Sequence, residues 1–272
     1  MTIAAAYLVS DGVVLGADSS TTVHVSTPQG KSVVQLLAHS QKVFEVGNNS
    51  RFGVCTWGAG SIGKISHRTI IARLADKIKK ETSVKEAAEY LINIVEPATK
   101  DAGIDFVGYY LGGREPVSHE PACFQIEVNK GKIIFEPLSL GLCSFSGNWK
   151  FFGRVFRGYD PQLPENLINE LKRNLKSSIS ENFDDIFKTA FEKATASLVA
   201  AGHKDLPIRE AIDFLYSYLH LTLKAVKFSF GPPSCGGPIE VGFITTDRPF
   251  RWVRHKPFTS AIIEQEGNYD VK

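Results

Sequence analysis

The chain has 272 residues, 43% hydrophobic and 22% charged, with 31 basic against 29 acidic side chains. This is a globular composition, long enough for one large domain or two small ones around a substantial core. A net charge of +2 offers no basic face to a nucleic acid or a membrane surface.

The same reading excludes several site chemistries. No apolar run approaches the roughly 18 residues of a membrane span, and the start lacks the basic and apolar regions of a signal peptide. Cys55, Cys123, Cys143 and Cys235 stand far apart, and the seven His are scattered with no HExxH. Zinc-ligand spacing is therefore absent. Unpaired, widely spaced cysteines in a chain with no signal read as reduced thiols of a cytoplasmic protein. No GxxxxGK[ST] or GxGxxG loop occurs, so no phosphate-bearing cofactor is expected.

In chain order, Ile3–Val9 is almost wholly apolar, as a strand buried on both faces must be. Ser10-Asp11-Gly12 is a turn, and Val13–Ala17 is a second strand that ends at Asp18. The two form a hairpin. The Ser/Thr-rich stretch Ser19–Gln41 is either a long loop or a ragged strand pair. Lys42–Val46, the turn Gly47–Ser50 and Arg51–Trp57 read as strand, turn, strand. After Gly58-Ala59-Gly60-Ser61 the apolar spacing predicts a helix over Ile62–Lys80. Ser83-Val84-Lys85-Glu86 is a capping box that opens a second helix running up to Pro97. Asp105–Leu111, Ala122–Val128, Lys132–Glu136 and Cys143–Gly147 read as strands, with a hairpin turn at Asn129-Lys130-Gly131.

From about Trp149 to Phe228 the pattern is helical, with amphipathic stripes over Pro164–Leu175, Asp184–Val199 and Pro207–Val226. Gly231–Pro238 is a rigid loop, Ile239–Thr245 and Phe250–Val253 close the fold as a hairpin, and the tail from about Thr259 is expected to be loose. Strands, paired helices, strands, helices and strands in segregated blocks argue for α+β with antiparallel sheets.

The only Met is Met1, and Thr2 follows it. Removal of Met1 before this small residue would leave a hydroxyl nucleophile and a free α-amine on one residue. Such an amine titrates near about 8, so its neutral form can act as a base. A hairpin turn centred on Ser10-Asp11 pairs Thr2 with Ser19 and Ile3 with Asp18. A turn centred on Asp11-Gly12 pairs Thr2 with Thr21 instead. Either register brings Asp18 to the open end beside Thr2. Lys42 opens the next strand, where it would polarise the hydroxyl while Asp18 orients it.

At these residues the sequence resembles a known family. Thr2-Ile3 with Asp11-Gly12-Val13-Val14-Leu15-Gly16-Ala17-Asp18-Ser19 looks like the start of a proteasome β-type subunit. Lys42-Val43-Phe44-Glu45-Val46 is similar to that family's lysine strand. Gly53–Gly60 resembles its strand into a glycine turn, with weaker likeness at Phe145-Ser146-Gly147 and Ser234–Gly237. The resemblance is specific over about the first 60 residues. It departs at Gly231-Pro232-Pro233, where the family carries an Asp, at Cys235, where it commonly has Ser, and in the extra helices over about 149–202.

The resemblance implies a divergent, bacterial-type N-terminal nucleophile hydrolase, residues 1–272 forming one domain as a four-layer αββα sandwich. It also implies roles. Thr2 would attack a peptide carbonyl, Lys42 would tune it, Asp18 would hold Lys42, and Ser146 would support the amine. The Gly58 N–H, or that of Ala59 if the alignment slips by one, would bind the oxyanion. Nothing but Met1 would have to be cleaved. The substrate would be peptide or unfolded protein and the assembly a homo-oligomeric ring or spiral, with any unfoldase partner left open. The rival expectations are a non-catalytic scaffold of the same fold and a hydrolase of a small amide.

Overall fold

The computed structural model describes residues 2–26, 32–148, 150–160, 162–175, 182–195, 202–229 and 235–256. Two five-stranded antiparallel sheets make its centre. The first has the order β10 (Cys143–Gly147), β1 (Ile3–Val9), β2 (Gly12–Ala17), β11 (Glu240–Thr245), β12 (Arg251–Arg254). The second runs in sequence order through β5 (Val43–Glu45), β6 (Phe52–Gly58), β7 (Phe106–Arg114), β8 (Pro121–Asn129) and β9 (Lys132–Pro137).

Side-chain alternation on β1 explains the layering. Ala4, Ala6 and Leu8 pack with Val13, Leu15, Cys55, Trp57 and Tyr110 between the two sheets. Ile3, Ala5, Tyr7 and Val9 point the other way, onto Leu215 and Leu219 of α6 (Ile208–Phe228). A period-two strand with apolar neighbours on both faces has no position left for a polar residue, hence its continuous apolar run. The far face of the second sheet is covered by α1 (His67–Ala75) and α2 (Val84–Ala102) through Ile70, Leu74, Leu91 and Val95. Helix, sheet, sheet and helix thus stack as four layers, a mixed α+β sandwich as the sequence pattern requires.

Several details resolve or correct the sequence reading. Val9 pairs with Gly12 and Ala4 with Ala17, which makes Ser10-Asp11 the hairpin turn and sets Ile3 opposite Asp18. Within Ser19–Gln41 the strand pair is present, as β3 (Thr21–Ser26) on β4 (Ser32–Leu37). The helix expected from Ile62 begins only after Ser66, whose side chain accepts from the Thr69 N–H. Ahead of it Ile62 and Ile65 exchange hydrogen bonds across a tight turn. Apolar spacing alone could not distinguish this turn from a first helical turn, whereas the cap fixes the start.

The second helix does not stop at Pro97 but runs through it to Gly103. Its capping box is formed as expected, and Val95 and Thr99 are buried on either side of the proline. Packing on both flanks outweighs the one backbone hydrogen bond a proline removes.

In the helical region α3 (Lys150–Arg157), α4 (Leu163–Leu175) and α5 (Phe183–Thr195) precede α6. Phe183, Phe187 and Phe191 form a ladder along α5 at 6.1 Å spacing, but no α5 residue is buried. The loop over residues 231–234, the tail beyond residue 256 and the end of the second amphipathic stripe, beyond residue 195, lie outside the described residues. Among the described residues no helix is long and apolar enough to cross a membrane.

Candidate active site

The open end of the β1–β2 hairpin collects the three residues singled out from sequence. Lys42 Nζ donates to Thr2 Oγ1 at 2.8 Å and to Asp18 Oδ1 at 2.7 Å. All three side chains are buried, Asp18 completely. Topology makes this convergence. Thr2 and Asp18 sit at the paired ends of β1 and β2, and Lys42 sits one residue before β5, on the facing sheet. The Lys42 carbonyl accepts from the Thr56 N–H at 2.9 Å, which fixes the backbone from which the long side chain crosses between the sheets.

Asp18 is held from five directions. Oδ1 accepts from the Ile3 N–H at 3.2 Å as well as from Lys42. Oδ2 accepts from the Ser20 N–H, the Ser20 hydroxyl at 2.7 Å and the Gly236 N–H at 2.8 Å. A fully buried carboxylate needs this many donors to offset its lost hydration. Burial pulls the Lys42 ammonium below the usual lysine range, opposed by the neighbouring Asp18 carboxylate. A lysine so placed donates a hydrogen bond to the hydroxyl while the carboxylate beside it favours its charged form.

The two oxyanion candidates differ in their backbone surroundings. The Ala59 N–H is occupied by the Phe106 carbonyl at 3.1 Å. N–H groups alternate sides along a strand, so Gly58 shares the side of Thr56, whose N–H points to Lys42. The Gly58 donor therefore faces the Thr2–Lys42 edge. Gly58 has φ +88°, and a Cβ there would lie 2.9 Å from the Phe106 carbonyl oxygen, so no other residue fits without movement.

Ser146 lies on β10, opposite Ala4, and its hydroxyl is 2.7 Å from the Tyr110 phenol, which also contacts the Ser144 hydroxyl at 2.8 Å. It stands one residue from the strand end that holds Thr2, with its hydrogen bond directed to Tyr110. Next to it, Gly147 has φ +84° and lies against the Thr2 carbonyl, only 1.9 Å from where a Cβ would be. That carbonyl accepts from the Asn148 N–H at 2.8 Å. The β10 end thus clamps the backbone of Thr2.

Two contributors were not read from sequence, and a third was read only as a register partner of Thr2. His67, at the start of α1, is buried with Nε2 2.7 Å from the Ala59 carbonyl and Nδ1 3.0 Å from the Tyr109 phenol. A carbonyl only accepts, so Nε2 carries the proton and Nδ1 accepts from Tyr109. Burial lowers the affinity of the ring for a second proton. This neutral imidazole has both nitrogens engaged and is a wall of the site rather than its base.

Glu240 is fully buried at the start of β11, where it accepts from the Lys42 N–H at 3.4 Å and pairs with His255 at 2.8 Å and Lys256 at 3.3 Å. Its signal in the sequence is slight, one charge at the head of the apolar run after Ile239. The third contributor is Ser19. Its hydroxyl is buried without a hydrogen-bond partner among the described residues, and the hairpin register sets it opposite Thr2.

In front of Thr2 lies a cavity of about 280 Å³. Ser20, Thr21, Thr22, Ser40 and Gln41 line it, together with Trp57 to Gly60 and His67. Among the described residues no group of His, Cys, Asp and Glu is placed to hold a metal ion. The arrangement is a polarised hydroxyl, an ammonium anchored on a carboxylate, a free backbone donor and an open space beside them. These are the elements of nucleophilic acyl transfer.

No family model and no curated protein matches the sequence. Among solved structures, the fold is similar to that of a mutant of Anbu from Hyphomicrobium sp. strain MC1, with a TM-score of 0.53 and 13% identity over 96% of this chain and 88% of that one. At 13% identity the likeness shows a shared fold.

Proposed function

We propose that the chain is a threonine-type amide hydrolase that acts on peptides or unfolded protein, with Thr2 as nucleophile once Met1 is removed. The observation that carries this reading is the Thr2–Lys42–Asp18 chain of hydrogen bonds, buried at the edge of an open cavity. The fold shared with a proteasome-like protein supports it.

The freed Thr2 α-amine takes the proton of the Thr2 hydroxyl as Oγ1 bonds to the substrate carbonyl carbon. The electron pair of the carbonyl moves to its oxygen, which accepts from the Gly58 N–H. Lys42 stabilises the charge that grows on Oγ1, and Asp18 keeps Lys42 in line. Collapse of the tetrahedral intermediate breaks the C–N bond, and the leaving amine takes the proton from the Thr2 ammonium. Water then attacks the ester, with the Thr2 amine again as base, and restores the hydroxyl. The unpartnered Ser19 hydroxyl opposite Thr2 is an acceptor available to the ammonium formed in each cycle, and Ser146 supports that end of β1 through Tyr110. As in other proteasome-like proteins, the working form is proposed to be a homo-oligomer.

The test is covalent. Intact-mass measurement establishes loss of Met1, and a peptidyl epoxyketone or β-lactone then adds a single adduct to wild type and none to Thr2→Ala, which also loses all amidase activity. Met1-free wild type with neither adduct nor activity makes the chain a scaffold. Amidase activity surviving in Thr2→Ala would place the nucleophile elsewhere.

A further inference from the structure

The cavity in front of Thr2 carries information about the side chain it accepts. Its lining includes a set of hydroxyl and amide residues, Ser20, Thr21, Thr22, Ser40 and Gln41. It also includes Thr56, Trp57 at the head of the glycine turn, and the neutral His67, whose two nitrogens are already engaged. Among the described lining residues there is no carboxylate, and the single charge is the Lys42 ammonium, which is spent on Asp18 and Thr2.

The walls are also braced. Gln41 donates to the Val43 carbonyl at 2.9 Å while its own oxygen accepts from Arg68. Lys256 donates to the Ser40 carbonyl at 2.7 Å and pairs with buried Glu240. The Ser40 N–H donates to the Ser19 carbonyl at 2.9 Å. The Thr21 methyl closes on the far wall, 3.3 Å from where a Cβ on Gly60 would sit. Gln41 and the Ser40 backbone are thus held in place beside the cavity.

Three classes of side chain fit such a space poorly. A large apolar or aromatic group would take water from the hydroxyls and give them no partner. A lysine or arginine would meet no counter-charge and would approach Lys42 and Arg68. A carboxylate would enter without an unpaired cation to receive it, because Asp18 already neutralises Lys42. A short, uncharged side chain that both donates and accepts matches the lining.

Resting on the proposed Thr2 chemistry, we infer that this site selects a serine, threonine, asparagine or glutamine as the residue whose carbonyl is attacked. The specificity comes from the hydroxyl and amide wall of Ser20 to Thr22 and Ser40 to Gln41, and it is discrimination by hydrogen bonding rather than by an apolar pocket. A site built to hydrogen-bond its substrate rejects analogues that cannot do so far more strongly than an apolar pocket rejects a change of size.

The experiment is a panel of peptide amides of Met1-free protein, identical except at that residue, run beside peptidyl epoxyketones carrying the same residues. Expected is a kcat/KM on asparagine, glutamine, serine or threonine about tenfold or more above that on leucine and phenylalanine, with the same order in the adduct rates. Gln41→Leu should narrow that ratio and raise the leucine substrate relative to glutamine. A maximum at leucine, phenylalanine, a basic or an acidic residue overturns the inference and leaves the Thr2 chemistry intact, as does a Gln41→Leu variant with an unchanged ratio. Absence of both cleavage and adducts across the whole panel removes the Thr2 chemistry itself and the inference with it.

Discussion

Two ion pairs in this protein have the same length and different surroundings. Lys42 and Asp18 approach to 2.7 Å at the end of a hairpin whose strands are buried at every residue, with side-chain exposures of 7% and 0%. Lys172 and Asp184 also approach to 2.7 Å, where α4 meets α5, with exposures of 44% and 43%. Distance is the same in both, so distance does not rank them. In the first pair water is excluded and every lone pair of Asp18 that loses hydration has found a donor. In the second, water screens both charges and two long side chains surrender freedom to meet. The hairpin end is a place where any loss leaves something stranded, and the helical segment is one where a loss is made good by solvent.

The sharpest way to break this comparison is to remove Asp18. Asp18→Ala leaves a buried ammonium and the donors of Ile3, Ser20 and Gly236 without their acceptor. The expected cost is about 3–5 kcal/mol in urea-induced unfolding. Asp18→Asn, which keeps an acceptor oxygen, should recover part of it. A loss under about 1 kcal/mol would show that the centre relaxes, and that its hydrogen bonds are less binding than their number suggests.

Titration tests the buried region next. At the hairpin and its sheets, burial raises the Cys55 thiol to about 12 and the Cys235 thiol to about 11, and moves Cys123 and Cys143 upward too. A group raised on folding binds its proton more tightly in the native state. Its stabilisation is complete below the ordinary thiol value of 9.0 and is lost as pH climbs towards the folded value. Lys42 has the opposite sign. Lowered on folding, it makes stability rise with pH as the range below 10.5 is crossed. Lys256 is lowered likewise, whereas burial raises the phenols of Tyr7, Tyr109 and Tyr110 along with the four thiols, so the raised groups outnumber the two lysines and Tm should fall from about pH 9 upward. Cys235→Ser should flatten that fall between pH 9 and 11 by the equivalent of roughly 2–3 kcal/mol. A Tm that is flat to pH 11 in wild type, or a Cys235→Ser slope as steep as wild type, would refute it.

The same contrast explains what could be read from the sequence. β1, its two-residue turn and β2 are contiguous, and a period-two pattern with a known turn converts position in sequence into position in space. Thr2 and Asp18 were therefore legible as neighbours, and Lys42 followed as the head of the next strand. Glu240 and Gly236 reach the same centre from more than 200 residues away, and Tyr110 reaches Ser146 from the facing sheet. No local pattern announces which strands of two sheets will face each other. His67 was hidden for a different reason. Its helix was read as starting at Ile62, so the residue looked like one mid-helix position among many rather than the first position after a cap, turned inward against Tyr109. The helices after Trp149 were visible from their amphipathic stripes, yet the stripe on α5 covers no core, because amphipathicity reports a face and not what lies against it.

The smallest expected effect is also the control for the comparison. Asp184→Ala removes the acidic half of a pair as short as the one at Thr2, and in the first turn of α5, where an acid also favours the helix end. Against that, Lys172 is already 44% exposed and keeps its hydration when its partner leaves, so no charge is stranded. The measured value should therefore be about 0.5 kcal/mol or less by urea-induced unfolding and should shrink further in 0.5 M salt, as screening removes what attraction remains. A loss of 2 kcal/mol or more, insensitive to salt, would mean that the exposed pair is closed off from water in the working protein. In that case the helical segment is an interface in the assembled state, and the contrast drawn here between a buried and a solvated pair would apply only to the isolated chain.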